Sequence, residues 1–304
     1  MITYLGRRAS HSILSVIGLL TLVFFLTRLT GDPSALYLPL DSTAEARAAF
    51  ARLNGLDQPI HWQFLEYLRD LLQLDFGESL RQNRSAMQVA LEAFPETLKL
   101  AVVAITLSTA LAILVGSLAA ARPGSIFDRI ASLVSLAGAS APDFWVAIVG
   151  ILVFAVGLGL LPTSGTGSWA HWIMPTFVLI LRPFGLLVQV VRGTMLSALA
   201  SPYIKTARAK GLPRQKIIFG HALRNSLLPV VTVAGDLATS LVNGAVVVES
   251  IFGWPGIGKL MIDSIIQRDF AVVQSTILVT ATAIFILNIA IDLLYAVLDP
   301  RIRY

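Results

Sequence analysis

Leu100-Ala-Val-Val-Ala-Ile-Thr-Leu-Ser-Thr-Ala-Leu-Ala-Ile-Leu-Val-Gly-Ser-Leu-Ala-Ala-Ala121 contains no Asp, Glu, Lys or Arg. A helix crossing about 30 Å of hydrocarbon needs roughly 20 such residues. The same gap recurs along the chain. Residues 9–27 and 270–291 carry no charge, Ile130 to Leu181 carry only Asp143, 225–248 only Asp236, and 173–191 are broken by Arg182. These gaps predict six spans, at about 10–29, 98–121, 133–159, 173–195, 227–248 and 271–296. The runs are rich in Val, Ile and Thr, but they are twice the about 9–11 residues of a barrel strand and lack its alternation. Helices follow.

Length alone, 304 residues, would suggest about two soluble domains. Composition overrides it. Hydrophobic residues make up 56% and charged ones 13%, against about 25% charged in soluble domains. Too few charges remain to cover a soluble surface, and disordered chains are apolar-poor. There is no cysteine, which excludes disulfides, thiolate metal sites and a cysteine nucleophile. Arg7 and Arg8 before the first apolar run resemble a signal peptide's start. The run ends at Arg28-Leu-Thr-Gly-Asp-Pro33 without a small-x-small cleavage site, so an uncleaved first span is expected.

The charges orient the spans. With the N-terminus inside, segments 1–8, 122–129, 192–226 and 299–304 hold thirteen basic residues and two acidic ones, Asp128 and Asp299. Segments 28–99, 162–172 and 249–269 hold nine basic and thirteen acidic residues. Basic residues collect on the cytoplasmic side, so both termini are expected inside. The net charge of +5 then reflects topology, and nucleic acid is not needed to explain it. Two segments lie outside the bilayer. Residues 31–95 carry amphipathic helical spacing at Trp62, Phe64, Leu65, Tyr67, Leu68, Leu71 and Leu72, punctuated by Gly55, Pro59 and Gly77. They read as an extracytoplasmic cap or a docking surface. The inner loop 192–226 carries Arg192, Lys205, Arg208, Lys210, Arg214, Lys216 and Arg224 and no carboxylate. On charge alone it is a topology determinant lying against anionic lipid.

Within that loop stands Tyr203-Ile-Lys-Thr-Ala-Arg-Ala-Lys-Gly211-Leu-Pro, followed by His221-Ala-Leu-Arg-Asn-Ser-Leu-Leu-Pro229. The spacing predicts a short helix over 203–210 ended by Gly211, since helices often close on a residue of positive φ. Thr206, Ala207 and Ala209 keep it slim enough for a groove on another protein. A second helix should lead from about Pro213 back to the membrane at Leu227. This loop resembles the signature of inner-membrane permease subunits of ATP-binding-cassette importers, and more closely the oligopeptide/dipeptide/nickel branch. Matching segments run through essentially the whole chain. They include Leu53-Asn-Gly-Leu-Asp-Gln-Pro59, Leu74-Asp-Phe-Gly77, Pro142-Asp-Phe-Trp145 and Leu161-Pro-Thr-Ser-Gly165. They continue with Val246-Val-Val-Glu249-Ser-Ile-Phe-Gly-Trp-Pro-Gly-Ile-Gly258 and Leu298-Asp-Pro-Arg-Ile-Arg-Tyr304. Lys205-Thr206-Ala207 stands where the broad importer pattern has Glu-Ala-Ala, and Pro229 lies 18 residues beyond Gly211. Both features resemble the peptide/nickel branch.

The resemblance implies an all-α integral membrane protein with the six-helix type I importer permease fold, N-in and C-in. Residues 1–30 would hold the N-terminus and first span, 31–95 an extracytoplasmic helical insertion, and 96–304 the permease core with a cytoplasmic coupling loop at 197–226. Tyr203, Lys205, Thr206, Ala207, Ala209, Gly211 and Leu212 would couple to an ATPase. The partners implied are a second homologous permease, two cytoplasmic ATP-binding subunits and an extracytoplasmic solute-binding protein, in contact with membrane lipid. ATP and Mg would be used by those partners, with no cofactor on this chain. Short peptides are the expected cargo, with nickel chelates or other peptide-like solutes as the alternative.

Competing readings are weaker. Gly253-Trp-Pro-Gly-Ile-Gly258-Lys259-Leu260 nearly fits a P-loop, but Leu260 stands where a Mg-ligating hydroxyl is needed and Pro255 removes a backbone N–H. His11, His61, His171 and His221 show no metal-binding pairing. Ser164, Ser168 and Asp236 could make a hydrolase only on paper, since no nucleophile elbow is present. A self-sufficient secondary transporter would suit intramembrane charges. Asp143, Arg182 and Asp236 lie in or near spans, where charge is costly. Either they pair, Arg182 with Asp236 for instance, or they line the translocation path.

Overall fold

The computed structural model describes residues 2–29, 38, 42–53, 57–79 and 81–298. Thr30 to Tyr37, Gly55 and the final segment from Asp299 to Tyr304, with its share of the charge count, lie outside the described residues, as do the side chains of Arg7 and Arg8. Among the described residues the backbone is helical, with one isolated bridge between Glu78 and Ser85. Four helices are long and apolar enough to cross a membrane, and a fifth span is added if one bent pair counts as a span. The first expected span falls in α1, Ile2–Leu29, whose described apolar stretch is Ile13–Leu26.

The chain divides into two compact units. The first comprises residues 1–95 and 257–285. After α1 come α2 (Ala44–Leu53) and α3 (Ile60–Leu72), then the start of α4 (Ala86–Ala121), and later α10 (Ile257–Ile266) and the start of α11 (Phe270–Leu298). The spacing seen at Trp62–Leu72 does form a helix, and its inner face is aromatic. Tyr67 stacks on Phe24 of α1 at 5.0 Å between ring centroids, and Phe64 lies 5.4 Å from both Phe24 and Phe25. Burial pushes the Tyr67 phenol up to about 12, so it packs as a neutral ring. Ala86, Val89 and Val272 form one small core, and Ala90, Ile257 and Val279 another. Asp269 opens α11 as a cap, accepting the Val272 N–H at 3.4 Å, while the Ser79 hydroxyl donates to its other oxygen at 2.7 Å.

The second unit comprises residues 96–256 and 286–304. It holds the rest of α4, then α5 (Ile126–Ser140) and α6 (Asp143–Gly150), which runs on as a π-helix over Ile151–Gly157. α7 (Ala170–Ala200) and α8 (Pro202–Ala209) follow, then a π-helical turn Lys216–Ala222 leading into α9 (Leu223–Phe252). α7 packs against both α5 and α9. Without a hydrophobic drive between helices in lipid, small residues let backbones approach closely. Gly185 of α7 does this: a Cβ there would overlap the Ser135 carbonyl oxygen of α5. Gly138 approaches the Leu181 carbonyl in the same way, at 3.1 Å from its would-be Cβ.

One expectation is corrected. Residues 133–159 are not a single straight span, because α5 and the α6 segment meet at 102°. Ala141 and Pro142 are both extended there, with ψ near 130°. Proline disfavours helical backbone in the residue before it, so the break was written at Ala141-Pro142.

The close crossing makes a sharp prediction. Gly185→Leu should destabilise the purified chain by about 1–3 kcal/mol, read as a lower thermal unfolding midpoint in detergent. Gly193→Ala in the same helix meets open space and should leave the midpoint unchanged or slightly raised.

Candidate functional site

Helix α8 begins at Pro202, whose fixed φ suits a first helical position. It ends as the sequence requires. Gly211 has φ of +74°, its N–H donates to the Arg208 carbonyl at 2.9 Å, and the Leu212 N–H reaches back to the Ala207 carbonyl at 3.3 Å. That pair of bonds is a Schellman closure. Its hydrophobic clasp is also present, since Leu212 packs against the cluster containing Ala207.

The helix has two faces. Ile204 is fully buried and Ala207 is 7% exposed, both set into a core with Leu187, Val191, Met195, Ala222 and Val230. Tyr203, Lys205, Thr206, Ala209 and Gly211 are exposed and Leu212 is half-buried. Ala207 therefore faces inward, and the reason is the three-residue spacing that puts it on the same side as Ile204. Ile204 was not singled out in the sequence, although its spacing to Ala207 and Leu212 was readable. Lys205, Arg208 and Lys210 make no ion pair among the described residues, so the outer face carries uncompensated positive charge. Beside it runs a groove of about 460 Å³ lined by Leu196, Leu199, Arg208, Leu212 and Arg214. Arg214 fastens the neighbourhood by donating to the Ala121 carbonyl at 2.6 Å, where the last carbonyls of α4 attract cations.

One ion pair near this helix escaped the sequence reading. Arg192 grips Asp128 with two hydrogen bonds of 2.5 and 2.9 Å. The Gly124 N–H donates to the same carboxylate at 2.8 Å, and Asp128 is 3% exposed. The acid-free loop 192–226 thus borrows its carboxylate from segment 122–129. The readable signal was a lone Asp among basic residues on one side.

The intramembrane charges are arranged differently. Asp143 sits half-buried in the first turn of α6, where a helix N-terminus favours an anion, and feels the Arg182 guanidinium electrostatically. Arg182 and Asp236 are both exposed, and no ion pair joins them. Asp236 makes no bond to His171 either. The Ser168 hydroxyl and His171 Nδ1 lie 2.9 Å apart as a local contact at the start of α7.

The near P-loop is filled by the protein itself. Gly253 closes α9 with φ of +62°, and the Trp254 N–H returns to the Glu249 carbonyl at 2.9 Å. The Glu249 carboxylate is fully buried, accepts the Thr97 hydroxyl at 2.5 Å, and lies so close to Gly256 that a Cβ there would overlap it. A turn folded over its own carboxyl leaves no room there for a phosphate.

The family described as binding-protein-dependent transport system inner membrane component matches residues 112–304. The chain belongs to that family. It is a permease subunit of the inner membrane and not an enzyme; in such systems ATP hydrolysis belongs to partner subunits. It is 38% identical to the di/tripeptide transport system permease protein DppB of Pseudomonas aeruginosa, over 100% of this chain and 99% of that one. It is 36% identical to the oligopeptide transport system permease protein AppB of Bacillus subtilis, over 100% of both chains. The glutathione transport system permease protein GsiC of Salmonella choleraesuis is 34% identical, again over 100% of both. Among solved structures, the inward-facing MetNI methionine ABC transporter matches with a TM-score of 0.59 at 19% identity, covering 70% of this chain and 97% of that one. An amino acid ABC transporter crystallised with histidines matches at 0.53 and 14% identity, covering 71% and 94%. These two likenesses establish the importer-permease fold of this family member.

The Asp128–Arg192 pair can be tested directly. Removing one partner of a fully buried pair costs about 3–5 kcal/mol, and Arg192 is 27% exposed, so Asp128→Asn should cost less but remain measurable in thermal unfolding. Arg192→Lys should be destabilised too, because an ammonium cannot reproduce the two-pronged contact.

Proposed function

We propose that this permease forms half of the translocation path of an ATP-driven importer of short peptides. What carries the cargo assignment is the full-length similarity to permeases named for dipeptides, tripeptides, oligopeptides and glutathione. The proposed assembly contains a second, homologous permease, two cytoplasmic ATP-binding subunits and an extracytoplasmic solute-binding protein. The chain crosses the membrane six times with both termini inside, and residues 31–95 lie outside. ATP and Mg act on the partner subunits.

In this reading α8 is the coupling helix. Tyr203, Lys205, Thr206, Ala209 and Gly211 offer a basic, slim surface to the ATPase. Ala207 and Leu212 serve from beneath, tying the helix to the core so that its displacement reaches α7 and α9. Asp143, Arg182 and Asp236 line the path. The support for this is physical: Arg182 and Asp236 stand exposed and Asp143 half-buried on apolar helices of the isolated subunit, which is costly toward lipid, and a water-filled path beside a second permease removes that cost.

Gly211 separates coupling from folding. Its would-be Cβ meets nothing within 4 Å, so Gly211→Arg strains only a left-handed φ, about 1–2 kcal/mol. Peptide uptake should be abolished while the variant still co-purifies with ATP-binding subunits and the second permease, scored by mass spectrometry of the tagged complex. Loss of co-purification would make Gly211 a docking residue and sink the coupling role.

A further inference from the structure

A groove of about 490 Å³ opens where α4 ends and α5 begins, a size suited to a bound small molecule. It shares Ala121, Arg214 and Ile218 with the groove beside α8. Three of its large apolar side chains stand open: Leu118 is 41% exposed, Phe127 47% and Phe219 43%. Arg122, Ser125 and Arg214 line the same groove. Arg122 makes no side-chain hydrogen bond or ion pair among the described residues. Arg214 uses one nitrogen on the Ala121 carbonyl. The nearby carboxylate, Asp128, is occupied by Arg192 and the Gly124 N–H. The positive charge lining the groove is therefore left uncompensated.

We infer that this groove holds one anionic phospholipid, its phosphate between Arg122 and Arg214 and its acyl chain against Leu118, Phe127 and Phe219. The chemistry matches at both ends. Guanidinium forks bind phosphate in two-pronged fashion, and basic pockets between membrane helices on the cytoplasmic side take lipid head groups. A soluble anion would use the arginines and leave the three apolar side chains idle. The apolar wall also continues into α4, a helix apolar enough to span the membrane, close to that helix's end at Ala121. The inference rests on the proposed orientation only for naming the inner leaflet as the lipid's source.

The test uses the full chain, purified in mild detergent and examined by native mass spectrometry with equal amounts of phosphatidylglycerol and phosphatidylcholine. One phosphatidylglycerol should be retained in preference to phosphatidylcholine. Arg122→Gln should weaken that retention by about fivefold, the worth of one basic residue near an anionic lipid, with an unchanged unfolding midpoint. Phe127→Ala keeps both arginines and should weaken retention as well, which decides the matter if the first variant folds poorly. Equal retention of the two lipids, or retention unchanged in both variants, would overturn the inference. Displacement of the lipid by millimolar inorganic phosphate would also overturn it, by revealing a simple anion site. Retention is read without transport, so its failure leaves the importer reading untouched, and a failure of uptake leaves the lipid result standing.

Discussion

The close approach of α5 and α7 is the constraint on which the second unit depends. Gly185 and Gly138 bring a side-chain-free surface of each helix against a carbonyl of the other. Helices in lipid gain little from hydrophobicity and must gain from contact, so the absence of two methyl groups decides whether they meet. With α7 held there, Leu187, Val188, Val191 and Met195 form a continuous ridge, and Ile204, Ala207, Ala222 and Val230 pack against it. The short helix over Pro202–Ala209 is too short to be stable alone. It exists as a helix because its inner face belongs to that core. A helix so anchored is not free to move apart from that core, since a packed core does not deform continuously.

The carboxylates divide into two sets by the same logic. Asp128, Glu249 and Asp269 are buried, and each is fastened by donors: a guanidinium and a backbone N–H for Asp128, the Thr97 hydroxyl for Glu249, the Ser79 hydroxyl and a helix start for Asp269. A buried charge without such partners would not be tolerated. Asp143 and Asp236 lack comparable fastening. Asp143 has a helix N-terminus and a distant guanidinium, and Asp236 is exposed on a long apolar helix. The three buried carboxylates are closed off within the subunit, whereas Asp143 and Asp236 are left open.

Much of this was legible in the residues because membranes simplify the problem. A backbone in hydrocarbon must satisfy its own polar groups, so charge-free runs of sufficient length could only be helices. The helix over Pro202–Ala209 and its glycine stop were also readable, since Gly211 is the residue type that a left-handed closure demands. The break of the third run was readable in retrospect at Ala141-Pro142, but a charge count is blind to backbone direction and merged both sides into one span.

What sequence alone determined, then, were the properties carried by local rules: which segments are apolar, that the short helix stops at Gly211, which segments are basic, and which family the motifs resemble. Only the tertiary structure decided the pairings. Asp128 and Arg192 are 64 residues apart and Thr97 and Glu249 are 152 apart, and nothing in the charge of either partner names the other. The inward turn of Ala207 and the absence of an ion pair between Arg182 and Asp236 belong to the same class. Helix spacing tells which residues share a face, but which face meets a neighbour is set by packing among distant segments.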